Sequence, residues 1–377
     1  MRILIACGGT AGHIFPGLVL AEELRREDEN CSIVMVVSTR PRDKEYLKTA
    51  APFKDMQIKT LSSSPLPYRI SFKYIPFILR LAWAHLESFY IMLRYRPQVV
   101  VGFGGYTSFA PLIIGRILGT PLLIHEQNII PGRANRLLAR IADRIAVTFD
   151  DTNKFFSEGT QARGKIVKTG LPLRKHILDY GRNPSDRFET DTGKFTILIL
   201  GGSQGAHNIN ELVLNCLSRM DIELRRHLQV IHLCGKRDFR SVLAKYAALG
   251  VTCRVFDFLE DMAGAYRAAD LLIGRCGAST IFEAATFGLP CLFIPYSWAG
   301  RHQKENALYL KRRGAALVLD ERTLSCEDLE KVLLELIGNK SLRENLSQRI
   351  KLLQAPQASH NLKEEVFALY RGRYVHE

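Results

Sequence analysis

Several signatures that would place this chain in a simple class are missing. No two of its eight cysteines form a C-x-x-C pair, which argues against a disulfide or zinc framework. Cys7, Cys31, Cys216, Cys234, Cys253, Cys276, Cys291 and Cys326 lie scattered, several in apolar runs, and read as reduced, buried thiols of a cytosolic protein. No run of 18 uninterrupted apolar residues occurs, so no membrane-spanning helix is expected. Met1-Arg2 leads at once into a short strand-like run and then glycines, so no signal peptide is expected. Neither glycine-rich turn of the chain is a G-x-G-x-x-G or a P-loop, which disfavours a dinucleotide or ATP site. There is no D-x-D motif, and neither metal nor cofactor is expected. Zinc-finger spacings and RNA-binding sheet motifs are absent, so nucleic acid is not the expected partner.

What is present is an ordinary globular composition, 47% hydrophobic and 24% charged, over 377 residues. That length suggests two domains, each able to bury a core. The formal net charge is +14, which should draw the chain to phosphorylated ligands or anionic lipid. Residues 2–7 (RILIAC) are a short apolar run ending in glycines, followed by a helical pattern through Leu18, Ala21, Leu24 and Arg25. Runs at 33–37, 98–101, 121–124 and 144–148 are further buried-strand candidates with helical patterns between them. This alternation predicts a doubly wound parallel α/β sheet. Thr169-Gly170-Leu171-Pro172 is a turn, and 181–193 is polar and rich in breakers, as a linker would be. The theme then restarts at 195–200 (FTILIL), with strands expected at 229–233, 251–256, 271–273 and 291–295. The expected domains are therefore 1–170 and 171–344. One or two closing helices, from about 345 to 377, are expected to pack back on the first domain.

Each half opens with a glycine turn after its first strand: Gly8-Gly9-Thr10-Ala11-Gly12-His13 and Gly201-Gly202-Ser203-Gln204-Gly205. A strand end meeting a helix N-terminus offers free amides and a helix dipole to an anionic oxygen. Either turn alone could be only a tight connection. Two of them point to a phosphate-bearing ligand held between two domains.

At these residues the chain resembles the MurG family of glycosyltransferases. Gly8 through Pro16 looks like that family's opening motif. His125-Glu126-Gln127-Asn128 with Pro131-Gly132 and Asn135-Arg136 looks like a second block, and Thr169-Gly170 through Pro172 with Arg174 a third. Gly201 to Ala206 is a fourth. Arg275 to Thr280 with Glu283, then Gly288-Leu289-Pro290 through His302-Gln303 and Asn306, form the fifth. The blocks run in family order from residue 3 to about 310. The resemblance implies a GT-B fold of two Rossmann-like domains with a cleft between them. It implies inverting, metal-independent transfer of N-acetylglucosamine from UDP-N-acetylglucosamine to an undecaprenyl-linked muramyl-pentapeptide, in building the peptidoglycan precursor. The chain departs from the family's usual pattern at Ala11, where glycine is usual, and at Ser297–Arg301, which lacks the acidic residue often found just before the glutamine.

The resemblance also implies roles. Ser203 and Arg174 would contact the nucleotide, and Leu259 would offer its backbone to the uracil ring. Ala278, Ser279 and Thr280 lead to Glu283, whose carboxylate would hold the ribose diol; the alternative is a first-turn carboxylate that only complements the helix dipole. Gln303 and Asn306, about one helical turn apart, would read the sugar hydroxyls; exposed amides on a helix are otherwise simply solvated. Thr10, Ala11 and Gly12 would bind acceptor phosphate through their backbone. The base is expected to be His13, which titrates near neutrality, with Glu126 and His125 as rivals and Asn128 positioning the acceptor. Gly104, Gly105 and Tyr106 form another small-residue turn at a strand end.

Residues 66–96 are apolar and aromatic, interleaved with Arg69, Lys73, Arg80, Arg94 and Arg96. With Ile75, Leu79 and Trp83 this suits either an interfacial face or a core helix. Peripheral binding to anionic lipid at the cytoplasmic face of the inner membrane is expected, with contacts to cell-wall synthesis machinery. Three other functions remain open at this point: a diacylglycerol glycosyltransferase, a UDP-N-acetylglucosamine epimerase and a non-catalytic binding subunit.

Overall fold

The computed structural model describes residues 1–49, 56–65, 74–156, 164–179, 190–201, 206–296 and 301–374. The chain forms two compact units: Met1–Arg174 with Ala355–Glu377, and Lys175–Gln354. Each is built on one parallel sheet.

In the first unit the strands are β1 (Arg2–Ala6), β2 (Ser32–Ser38), β3 (Gln57–Leu61), β4 (Val99–Gly102), β5 (Leu122–Glu126), β6 (Arg144–Val147) and β7 (Ile166–Lys168). Their order across the sheet is β3-β2-β1-β4-β5-β6-β7, and every pairing is parallel. Parallel pairing requires crossovers, and the helices supply them: α1 (Ala11–Glu27), α2 (Pro41–Thr49), α3 (Tyr74–Tyr95), α4 (Gly105–Ile117) and α5 (Arg133–Leu138). Side chains alternate across a strand, so β1 feeds both layers. Ile3 and Ile5 pack with Leu18 and Leu24 of α1. Leu4 and Ala6 pack with Ile91 of α3 and Leu112 of α4.

The second unit has β8 (Phe195–Leu200), β9 (Leu228–Leu233), β10 (Thr252–Phe256), β11 (Leu271–Gly274), β12 (Cys291–Phe293) and β13 (Leu317–Val318). Their order is β10-β9-β8-β11-β12-β13, again parallel throughout. Ile197 and Ile199 pack against Val213 and Leu217 of the helix His207–Arg219 and against Leu329 and Leu333 of the helix Cys326–Gly338.

Both sheets reverse direction beside their first strand. The chain runs outward through β2 and β3, then returns to place β4 on the other side of β1; β8 and β11 repeat this. The crevice at the carboxyl ends of the strands beside such a switch point is where open α/β sheets bind ligands. The turn after β1 lies there, and so does Gly201 at the end of β8.

The units divide at Arg174–Lys175 and Gln354–Ala355, whereas the sequence predicts boundaries at 170–171 and near 344. Residues 180–189, most of the expected linker, lie outside the described residues. The closing region is two helices assigned to different units. Lys340–Lys351 belongs to the second and Ala358–Tyr374 to the first. The latter sends Leu362 and Val366 into the α1 core, and Lys363 Nζ bonds Glu27 Oε2 at 2.7 Å. Among the described residues, no helix is long and apolar enough to cross a membrane.

Candidate active site residues at two strand ends

β1 ends at Ala6, and α1 begins at Ala11. Between them Gly9 has φ +86°, a left-handed conformation that side chains disfavour. A Cβ there would also stand 3.0 Å from the Tyr106 ring. Thr10 is the N-cap, in extended conformation. Its Oγ1 lies 3.1 Å from His13 Nδ1, which also lies 3.1 Å from the Gly8 carbonyl oxygen. A carbonyl only accepts, so this contact assigns the proton to Nδ1 and leaves the lone pair of the neutral ring on Nε2. Ala11 and Gly12 occupy the first turn of α1, where backbone N–H groups have no intrahelical acceptor. Ala11 is simply the first helical residue; among the described residues, the only non-glycine with positive φ is Arg96. The missing glycine at position 11 therefore costs the backbone nothing.

The block after β5 is arranged differently from the expectation. His125 is fully buried, donates from Nε2 to the Gly170 carbonyl at 2.9 Å and accepts from the Gln127 amide at 3.3 Å. Burial pushes its pKa down to about 4, so the ring is neutral at physiological pH. Glu126 corrects a second expectation. Its Oε1 accepts from the Asn128 backbone and side chain, and its Oε2 from Gly132 N and Asn135 Nδ2. Four donors fill the lone-pair directions of a carboxylate, leaving none to take a proton from a substrate. Glu126 is thus the organiser of the 126–135 loop rather than a base. Asn128 is half-buried, and its carbonyl accepts from Thr152 Oγ1 at 3.1 Å.

Arg174, expected at the nucleotide, is the last residue of the first unit, with its guanidinium 4.6 Å from the Phe15 ring of α1.

In the second unit Ser203 and the rest of 202–205 lie outside the described residues, as do Ser297 to Gly300. The turn after β8 leads to an N-cap at Ala206 and the helix His207–Arg219. Next to β8, the end of β11 leads through Arg275, Cys276 and the N-cap Gly277 into the helix Ala278–Phe287. Ala278, Ser279 and Thr280 form that helix's first turn. Glu283 is its sixth residue, beyond the first turn, so the helix-end alternative for this carboxylate does not apply. Its Oε2 accepts from the buried Tyr266 hydroxyl at 2.9 Å. Tyr266 in turn stacks on Phe287, with ring centroids 5.6 Å apart. Tyr266 went unnoticed in the sequence because nothing marks a tyrosine in a short helix as a carboxylate's partner.

Asn306, expected to read the sugar hydroxyls, is instead fully buried and donates to the Cys276 carbonyl at 3.2 Å. Gln303 is half-buried, and its Oε1 accepts from Tyr296 N at 2.9 Å, which turns its NH₂ into the end that can donate. Leu259 follows β10 in a loop and is half-buried. Arg275 and Glu321 form a buried ion pair at 2.6 Å, and Arg275 also donates to the Ile294 carbonyl. Asn208, in the first turn of its helix, donates to the same Glu321 oxygen at 3.1 Å. The two helix starts of the second unit are thereby tied together.

Two parallel-sheet units, each with a helix start at its switch point, define a GT-B-type architecture. Residues 3–147 match the glycosyltransferase family 28 N-terminal domain, and residues 196–362 the family 28 C-terminal domain. A UDP-N-acetylglucosamine–N-acetylmuramyl-(pentapeptide) pyrophosphoryl-undecaprenol N-acetylglucosamine transferase of Syntrophus aciditrophicus is 34% identical over 98% of this chain and 99% of its own. The enzyme of the same name from Pelobacter propionicus is 36% identical over 91% and 92%. The crystal structure of Acinetobacter baumannii MurG superposes with a TM-score of 0.73 at 27% identity, covering 97% of this chain and 99% of that one. The chain belongs to glycosyltransferase family 28 and, within it, to the MurG family. A UDP-N-acetylglucosamine 2-epimerase structure from Listeria monocytogenes also superposes, with a TM-score of 0.68 but 14% identity, a likeness of fold alone.

Proposed function

We propose that this protein transfers N-acetylglucosamine from UDP-N-acetylglucosamine to an undecaprenyl-linked muramyl-pentapeptide, with inversion. The first unit takes the acceptor and the second the donor. The observation that carries this reading is the pairing of His13 with the first-turn amides of α1 at the end of β1. His13 Nε2 removes the proton from the attacking hydroxyl, while the Ala11 and Gly12 amides hold the acceptor's pyrophosphate. Negative charge grows on the departing UDP. It is stabilised by the helix N-terminus after the 201–205 turn, with Ser203 contributing a hydroxyl, and by Arg174. Glu283, oriented by Tyr266, accepts from both ribose hydroxyls; the Leu259 backbone reads uracil, and Gln303 reads the sugar, while Asn306 holds the Cys276 backbone.

The enzyme works at the membrane surface. Of the residues of α3, only Ala84, Ser88, Ile91 and Met92 are buried. Leu79, Trp83 and Tyr90 are 65%, 57% and 67% exposed, beside the exposed Arg80 and Arg94. An apolar stripe bordered by cations suits an anionic bilayer interface. Co-sedimentation with anionic vesicles should fall with salt and with Trp83→Ser; equal binding to neutral vesicles in high salt would refute the electrostatic part.

The decisive assay supplies labelled UDP-N-acetylglucosamine with the muramyl-peptide lipid or with diacylglycerol, in the presence of a chelator. Transfer to the muramyl-peptide lipid is expected. Transfer to diacylglycerol alone would overturn the assignment.

A further inference from the structure

The Gly8–Gly9 peptide group stands between two ionisable side chains. Its N–H, on Gly9, donates to Asp43 Oδ2 at 2.8 Å. Its carbonyl, on Gly8, accepts from His13 Nδ1 at 3.1 Å. The two bonds lie at opposite ends of one planar, resonance-coupled amide. A carboxylate at the N–H end draws electron density towards the carbonyl oxygen and makes it a stronger acceptor, as in any polarised hydrogen-bond chain. We infer that Asp43 is a positioning residue for the transfer reaction, acting on His13 through this peptide. It locks the Nδ1–H tautomer and raises the basicity of Nε2, as a carboxylate does when it contacts a histidine directly. The inference rests on the reading of His13 as the base.

The surroundings of Asp43 suit that task. The residue is fully buried in the first turn of α2, where the helix dipole favours its anion. Oδ2 also accepts from Ser38 N at 3.2 Å and Ser38 Oγ at 2.6 Å. Oδ1 is buried with no hydrogen bond among the described residues, and no lysine or arginine there forms an ion pair with the carboxylate.

Space around the peptide is reserved by glycines. A Cβ on Gly8 would stand 2.9 Å from Asp43 Oδ2 and 2.8 Å from Thr107 Oγ1. One on Gly105, at the start of α4, would stand 3.0 Å from the Gly8 oxygen and 3.4 Å from His13 Nδ1. The other titratable or charged groups around the turn come from several elements. His125 of β5 is neutral. Burial holds the Tyr106 hydroxyl of α4 protonated, and burial together with Asp43 does the same for the Cys7 thiol. Arg40 lies over the Tyr106 ring and Arg174 over Phe15. Of these groups only Asp43 is a carboxyl, the one side chain among them whose charge favours the imidazolium form of His13.

The test is Asp43→Asn, whose side-chain oxygen can still accept from Gly9 N–H but carries no charge. Ring ¹⁵N–¹H spectra of the full-length protein, with the His13 signal identified by its loss in His13→Gln, report tautomer and pKa. The His13 pKa should fall by about one unit in Asp43→Asn, the scale of a nearby charge. The acid limb of kcat against pH should move down by the same amount. The plateau kcat should fall about tenfold, as when the residue behind a working histidine is altered, with the donor KM unchanged. Ser38→Ala supplies a shift of opposite sign. It removes a donor from Asp43 but keeps the charge, so the His13 pKa should rise, and it decides the matter if Asp43→Asn does not fold. A wild-type His13 protonated at Nε2 instead of Nδ1, or a pKa that neither variant moves, overturns the inference. A shifted pKa with an unmoved kcat limb leaves the peptide coupling standing and refutes His13 as the base.

Discussion

The two glycine turns begin from the same plan and are completed in opposite ways. After β1 the turn is short, α1 starts at Ala11, and the ionisable residue His13 sits within the first turn of that helix. Its supporting carboxylate, Asp43, is borrowed from the neighbouring crossover. In the second unit the chemistry is spread. His207 at the helix start is tied to Asp238 at 3.0 Å, while the carboxylate assigned to the donor, Glu283, stands on a different helix and is held by Tyr266. The buried histidines repeat the contrast. His125 bonds a backbone carbonyl at Gly170, whereas His232 bonds the Tyr246 hydroxyl and the Asn210 side chain. In the proposed assignment, one fold motif concentrates proton transfer at one strand end and distributes ligand binding over several elements at another.

That contrast can be broken by measurement. His13→Ala should reduce kcat by about 10² to 10⁴, the usual worth of a general base, with the donor KM little altered. Near-normal turnover would remove His13 from the chemistry and with it the proton-transfer half of the comparison. Glu283→Ala should act on the other half. Losing hydrogen bonds to a charged acceptor lowers kcat/KM for the donor about a hundredfold, chiefly through KM, while the acceptor KM stays fixed.

The buried histidines should share one behaviour despite their different partners. Burial lowers the pKa of His125 to about 4 and of His232 to about 3, from an ordinary 6.5. The unfolded chain then binds more protons below pH 6.5, so stability falls as pH drops from about 6.5 towards those values. Between pH 7 and pH 5 each histidine should cost about 2 kcal/mol. Urea unfolding at the two pH values checks this, and His125→Gln should remove about half of the loss. The smallest effect is expected from Tyr266→Phe. It deletes one hydrogen bond to Glu283 and should raise the donor KM about fivefold, close to 1 kcal/mol. No change in KM would mean that Glu283 needs no orienting partner.

The sequence predicts every strand inside the sheets and one edge strand, β10. β1, β4 and β8 are continuous apolar runs because helices cover both faces of a parallel sheet. β3, β7 and β13 were missed, and they lie at sheet edges, where less cover permits polar residues such as Gln57, Lys59 and Lys168. The helical face at α3 illustrates another limit. Its apolar residues fit a core helix or an interfacial one equally well in sequence, and only their exposure argues against the core helix.

By itself the sequence determined the repeated strand–turn–helix plan, the two glycine turns, and the positions of His13 and Glu283. These are encoded by periodicity and by residues close together in the chain. Only the tertiary structure decided what each group touches. It placed Asp43 against Gly9, 34 residues away, and Tyr266 against Glu283, 17 away. It also filled every acceptor direction of Glu126 and buried Asn306 against Cys276. A hydrogen-bond partner depends on which strands and helices come to lie side by side, and no local pattern of residues carries that information.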